Sequence, residues 1–146
     1  MKNVRDILNS KGDAKTYSVA PDTLVVDALR LMAEKMLGAL VVMEGDALIG
    51  VFSERDYARK VALMDRSSRT TEIRQVMTGN VITVTTTDTM ESCMELVTEK
   101  HIRHLPVLED GKLVGLISIG DLVKNIIEDQ KAMIEQLQQY MRGETY

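Results

Sequence analysis

The sequence predicts an α/β protein built from two pseudo-symmetric β-α-β-β-α halves, with an extended C-terminal helix. The first observation behind this is a repeat. Gly50-Val51-Phe52-Ser53-Glu54-Arg55-Asp56 returns 65 residues later as Gly115-Leu116-Ile117-Ser118-Ile119-Gly120-Asp121. Val19/Val84, Leu31/Leu96, Glu34/Glu99, Lys35/Lys100, Leu40/Leu105, Val42/Val107 and Leu48/Leu113 are identical at the same offset. Self-similarity at a fixed period marks a duplicated structural unit. The second observation is periodicity: in each copy, apolar residues at helical spacing give way to short continuous apolar runs. The third is a pair of turn signals, Gly45-Asp46 and Asp110-Gly111, that split those runs into hairpins.

Taken in order, Val4-Arg5-Asp6-Ile7-Leu8 predicts a short helical segment, echoed by Ile73-Arg74-Gln75-Val76-Met77 at an offset of 69. Thr16 to Val19, and Val81 to Thr87, are polar and β-branched lead-ins. A helix follows in each copy. Val25, Ala28, Leu29, Met32 and Met36 line it in the first, and Met90, Cys93, Met94 and Val97 in the second. Thr23 and Asp88 stand where capping side chains belong. The hairpin strands are Ala39 to Met43 with Leu48 to Phe52, and Leu105 to Leu108 with Leu113 to Ile117. Ser53 and Ser118 then open a second helix in each copy. Asp65 to Thr71 is a polar linker. The units are therefore residues 1–66, including the N-terminal segment, and 73–128, with 129–146 as a helical extension. Leu122, Ile126, Met133, Leu137 and Tyr140 or Met141 form a rough heptad-like stripe there. It fits a helix packed on its own core or, the favoured reading because it runs past the first repeat's equivalent, an inter-subunit helix or short coiled coil.

Composition narrows the function classes. The net charge is −4 and aromatics make up 3% of the chain, with no Trp. That argues against a nucleic-acid binder, which needs cations for phosphates and rings for stacking. Cys93 is the only cysteine, so no internal disulfide forms, and its place on the helical stripe makes it a packing residue. Most of the ten methionines also fall on apolar stripes and read as core. No apolar run reaches the roughly 18 residues of a membrane span, and no signal peptide opens the chain. A cytoplasmic protein without membrane contact is expected.

These residues together resemble a tandem pair of cystathionine-β-synthase (CBS) domains over about residues 1 to 130. The carriers are Val19-Ala20-Pro21-Asp22, Gly38-Ala39-Leu40-Val41-Val42, Gly50 to Asp56, His101-Ile102-Arg103-His104-Leu105-Pro106-Val107, and Gly115 to Asp121. The resemblance implies two repeats packed sheet to sheet with two clefts between them. It also implies a homodimer, and an adenosyl ligand such as AMP, ATP, NAD or S-adenosylmethionine.

Ser-x-x-Asp before an apolar stretch is itself a capping-box pattern. Here it also ends a strand and opens a helix, where free N–H groups and the positive helix end favour an anion. The resemblance assigns Asp56 and Asp121 to a ribose diol and Ser53 and Ser118 to phosphate. Arg55, and Arg103 with His104, are candidate phosphate partners. Gly38 and Ala39 occupy the positions equivalent to Arg103 and His104, so the two clefts differ. Arg59 and Lys60 follow the first motif, and Arg55 and Arg59 read equally as a solvated helix face. In the linker, Arg66 and Arg69 are candidate phosphate partners that would order the loop on binding. His101 and His104 could share a helical edge, but they lack cysteine or carboxylate company, so no metal is expected. No nucleophile–base–acid set is present. The expected function is a non-catalytic regulatory sensor of an adenine nucleotide, AMP, ADP, ATP or NAD in class, signalling through a protein effector. The alternative is a structural or dimerisation module with vestigial clefts.

Overall fold

The computed structural model describes residues 2–12 and 15–143. Met1, Asp13 and Ala14 of the first predicted unit, and residues 144–146 of the extension, lie outside them. The elements run α1 (Val4–Ser10), β1 (Ser18–Val19), α2 (Val25–Lys35), β2 (Ala39–Glu44), β3 (Ala47–Ser53) and α3 (Glu54–Asp56), which continues as a π-helix (Tyr57–Ala62). After a 3-10 turn (Ile73–Gln75) come β4 (Val84–Thr85), α4 (Met90–Glu99), β5 (His104–Glu109), β6 (Lys112–Ser118) and α5 (Ile119–Met141).

Each half is a three-stranded sheet, β1-β2-β3 or β4-β5-β6, with one parallel and one antiparallel pairing. The duplication extends to register. Val19 pairs with Val42 and Val84 with Val107; Val42 pairs with Gly50 and Val107 with Gly115. Both hairpins carry a bulge one step further on, which bends the strand toward its turn. Ala39 to Val42 are all buried, as a strand covered on both faces must be. Leu40 and Val42 pack with α2 residues Val25, Ala28 and Met32, whereas Ala39 and Val41, of opposite parity, are buried on the other face of the sheet. Leu105 and Val107 repeat the pattern against Met90, Cys93 and Val97.

The short N-terminal segments exchange partners. Val4 and Ile7 of α1 are wholly buried in the second core, and Ile73 and Val76 lie in the first. The boundary drawn at residue 66 therefore divides the sequence, not the packing. Backbone bonds follow the same exchange: the Val4 and Arg5 amides donate to Asp88 and Thr86, and the Ile73 and Arg74 amides donate to Thr23 and Pro21. Glycines admit the crossing segments. A Cβ on Gly115 would stand 2.6 Å from a Leu8 methyl, and one on Gly50 would stand 2.5 Å from the Met77 sulfur and 3.1 Å from the Thr78 carbonyl oxygen. Gly50→Ala is expected to destabilise the fold by about 1–3 kcal/mol, the usual cost of overpacking. Urea unfolding measures this, and a midpoint equal to the parent's would refute the close approach.

Several sequence expectations are corrected here. The helix caps are Leu24 and Thr89, one residue after Thr23 and Asp88. Leu24 offers no side-chain cap, and linker carbonyls replace it: Val25 N–H donates to Thr71 and Val26 N–H to Ser68. Met36 leaves the helical stripe as a left-handed C-cap (φ 57°), 91% exposed. Met64, Met133 and Met141 are exposed as well. On α5 the predicted stripe splits between two faces. Leu122 and Ile126 pack on the second core, whereas Met133, Leu137, Tyr140 and Met141 are exposed. A different seam emerges at heptad spacing: Val123, Ile127, Ile134, Leu137 and Met141 are all exposed, with Gln130 between them.

Candidate functional site

The repeated Ser-x-x-Asp stands at the same structural point in both halves, where β3 enters α3 and β6 enters α5. Both copies form reciprocal capping boxes. The Asp56 amide donates to Ser53 Oγ and the Ser53 amide to Asp56 Oδ2; Asp121 and Ser118 do the same. The next amide in each copy crosses to its own sheet, from Glu54 to the Gly38 carbonyl and from Ile119 to that of Arg103. The capping reading is thus realised, and what each carboxylate can still do depends on its remaining oxygen.

Two cavities flank the junction of the halves. The first, about 490 Å³, joins Ser53, Arg55 and Asp56 to His101, Arg103 and His104 of the other half. Thr78, Val81 and Ile82 close it from the connecting segment. Asp56 is buried, with Oδ1 accepting from Thr78 Oγ1 (3.0 Å) and Lys60 Nζ (3.0 Å). Arg55 donates across the cleft to the His101 carbonyl (3.0 Å). Arg59 and Arg103 are exposed on its wall and form no salt bridge among the described residues. Burial lowers the pKa of His104 despite the Asp121 and Glu54 carboxylates, so its imidazole is neutral near pH 7.

The second cavity, about 420 Å³, joins Ser118 and Asp121 to Gly38 and Ala39. Among the described residues, two of its three cations, Arg5 and Lys11, are committed within it, and the third, Lys15, is exposed on its wall. Arg5 pairs with Glu109, and Lys11 Nζ bonds both Asp121 Oδ2 (2.9 Å) and the Leu116 carbonyl (2.8 Å). Burial raises the Asp121 pKa, but the Lys11 ammonium and the Ser118 bonds outweigh it and hold the carboxyl below its ordinary 3.8. A depressed carboxyl stabilises the fold fully above its unfolded value and loses that contribution as pH falls through the folded one. The stability gap between the parent and Lys11→Met is therefore expected to be constant above about pH 5 and to shrink below 3.8. Urea titrations from pH 6 to pH 2.5 test this, and a gap that persists at the acid end would overturn it.

Of the sequence candidates, Gly38 and His104 line both cavities, Ala39 only the second, and Arg55 and Arg103 only the first. Arg69 lines neither. It is exposed, and its backbone N–H donates to Ser67 Oγ. His101 sits in a left-handed conformation (φ 53°) after α4 and His104 opens β5, so the two share no helical edge. Sequence reasoning missed Thr78, Val81, Ile82, Lys11, Thr16 and Tyr17 as cleft walls. The 65-residue offset relates Val81 and Ile82 to Thr16 and Tyr17, a signal that could have found those four. Cys93 is buried, and burial pushes its thiol up to about 11, as befits a packing residue.

Two halves with one register, exchanged segments and paired strand-to-helix clefts define a tandem-repeat α/β module. The chain belongs to the CBS domain family, whose model matches residues 4–63 and 73–128. It is 36% identical over 148 residues to the mitochondrial CBS domain-containing protein CBSX3 of Arabidopsis thaliana, covering 96% of this chain and 72% of that relative. A solved CBS-domain protein from Burkholderia ambifaria MC40-6 is 50% identical, with a TM-score of 0.86 over 88% of this chain and 96% of its own. The structure of CBSX2 in complex with AMP is 29% identical, with a TM-score of 0.71 over 89% of this chain and 99% of that one.

Proposed function

We propose that this protein is a non-catalytic regulatory module that binds an adenine nucleotide between its repeats. The observation that carries this is the first cleft, where a strand-end Ser53/Asp56 pair from one half faces Arg103 and His104 from the other. Asp56 Oδ1 is held by two donors that a ribose diol can replace, Thr78 Oγ1 and Lys60 Nζ. Val81 and Ile82 offer an apolar wall for a flat base. The AMP held by CBSX2 supports an adenosyl ligand. In this reading Asp56 or Asp121 takes the ribose and Ser53 or Ser118 lies near the phosphates. Calorimetry with AMP, ADP, ATP, NAD and S-adenosylmethionine tests it, and no heat from any of the five would reject it.

A second reading rests on the exposed α5 seam: a dimerisation module working through partner proteins. The two readings are compatible, since a ligand touching both halves biases their arrangement only through its differential affinity for the alternatives. Among the described residues no helix is long and apolar enough to cross a membrane, and the cytoplasm is the proposed location. A homodimer closed on a two-fold axis buries the seam. Light scattering at micromolar concentration is expected to give about twice the 16.3 kDa chain mass, and a monomer there would sink the dimer.

A further inference from the structure

We infer that the first cleft alone is built for a polyanionic nucleotide, so that affinity rises from adenosine through AMP and ADP to ATP. This rests on the nucleotide reading above and specifies which member of the class the site takes. The cleft gathers cations from both halves. Arg55 lies within the motif and Arg59 on the π-helix that follows it, where the second copy has regular α-helix, and Arg103 comes from the opposite half. Local π geometry recurs at functional sites. Asp56 is already matched by Lys60, so three arginines face a single remaining acid, Glu54. Arg55 is held in place by the His101 carbonyl, which uses one nitrogen and leaves the rest of its donors unspent. His104 is neutral, so it adds hydrogen bonding without charge.

Binding would also recruit a fourth cation. A ribose hydroxyl that takes Asp56 Oδ1 displaces Lys60 from its 3.0 Å contact, and the freed ammonium joins Arg55, Arg59 and Arg103 among the cations lining the cavity. The second cleft has a smaller reserve, the single exposed Lys15 among the described residues. Its Arg5 and Lys11 are paired inside the cavity, and across from its motif stand Gly38 and Ala39. A ligand whose reacting end is cationic, such as the sulfonium of S-adenosylmethionine, meets repulsion in the first cleft.

The test is calorimetry in EDTA with adenosine, AMP, ADP, ATP and S-adenosylmethionine, on the full chain and on Arg59→Gln/Arg103→Gln. Both arginines are exposed, so the variant is expected to fold, and circular dichroism checks that. ATP is expected to bind at least about tenfold more tightly than AMP, with one nucleotide per chain and the steeper salt dependence. The double variant is expected to bring ATP to within about threefold of AMP. AMP binding as tightly as ATP, two ATP per chain, or a variant that keeps the full gap would overturn the inference while leaving the nucleotide reading standing. Absence of binding by every compound would overturn both.

Discussion

Replacing Asp56 and Asp121 together with alanine is expected to weaken adenine-nucleotide binding by about 1–3 kcal/mol for each occupied cleft, the range for hydrogen bonds to a charged group. At about 1.4 kcal/mol per decade this is a loss of roughly tenfold to over a hundredfold. The carboxylates also close capping boxes with Ser53 and Ser118, whose removal alone costs on the order of 1 kcal/mol of stability. Asp→Asn at both positions separates the two effects, because the amide oxygen can still accept the serine N–H while the charge is gone. Calorimetry reads the affinity and urea unfolding reads the fold. A double alanine variant that binds every nucleotide as tightly as the parent would show that the two carboxylates hold only their helices.

The other large effect lies in the core rather than in a cleft. Ile7→Ala should cost about 2–5 kcal/mol, the range for a fully buried large-to-small change. What makes the result informative is where the loss appears. Ile7 belongs to the first repeat in sequence but packs with Val84, Met90 and Leu105 of the second. Hydrogen exchange should therefore show weakened protection in α4 and β5, with α2 and β2 less affected below global unfolding. Weakening confined to α2 and β2 would contradict the exchange of segments.

Much of this architecture could be read from the chain, because a repeat displays its period in every element. The offset of 65 located both hairpins, both turns and both Ser-x-x-Asp motifs. Asp110 and Gly111 indeed carry the two positive φ values of a tight hairpin turn. What escaped the sequence reading involves contacts that periodicity does not encode. Lys11 meets Asp121 across 110 residues, and no local pattern marks a flexible lysine as the partner of a distant carboxylate. Leu24 is a poor cap by residue type, and α2 survives it because the linker supplies carbonyls. Thr78 binds Asp56 from a connecting segment whose backbone pairs with Val51, an isolated bridge too short to leave an alternating pattern. On α5, Leu122 and Leu137 lie near heptad spacing, but the helix leaves its own core after Ile126, so one apparent stripe serves two surfaces.

The crossing of Leu8 over Gly115 and of Met77 over Gly50 also bears on the ancestry of the fold. Two identical single-repeat chains trading their first segments would form a domain-swapped symmetric dimer. This chain is that dimer written on one polypeptide. A true homodimer must change both of its sites whenever one residue changes. Once fused, the copies are free to diverge, and they have done so where it counts: Arg103 and His104 answer to Gly38 and Ala39, and a carboxylate bound by Thr78 and Lys60 answers to one bound by Lys11. Packing has kept the two-fold axis while charge has abandoned it, so one molecule presents two chemically distinct faces on a single symmetric frame.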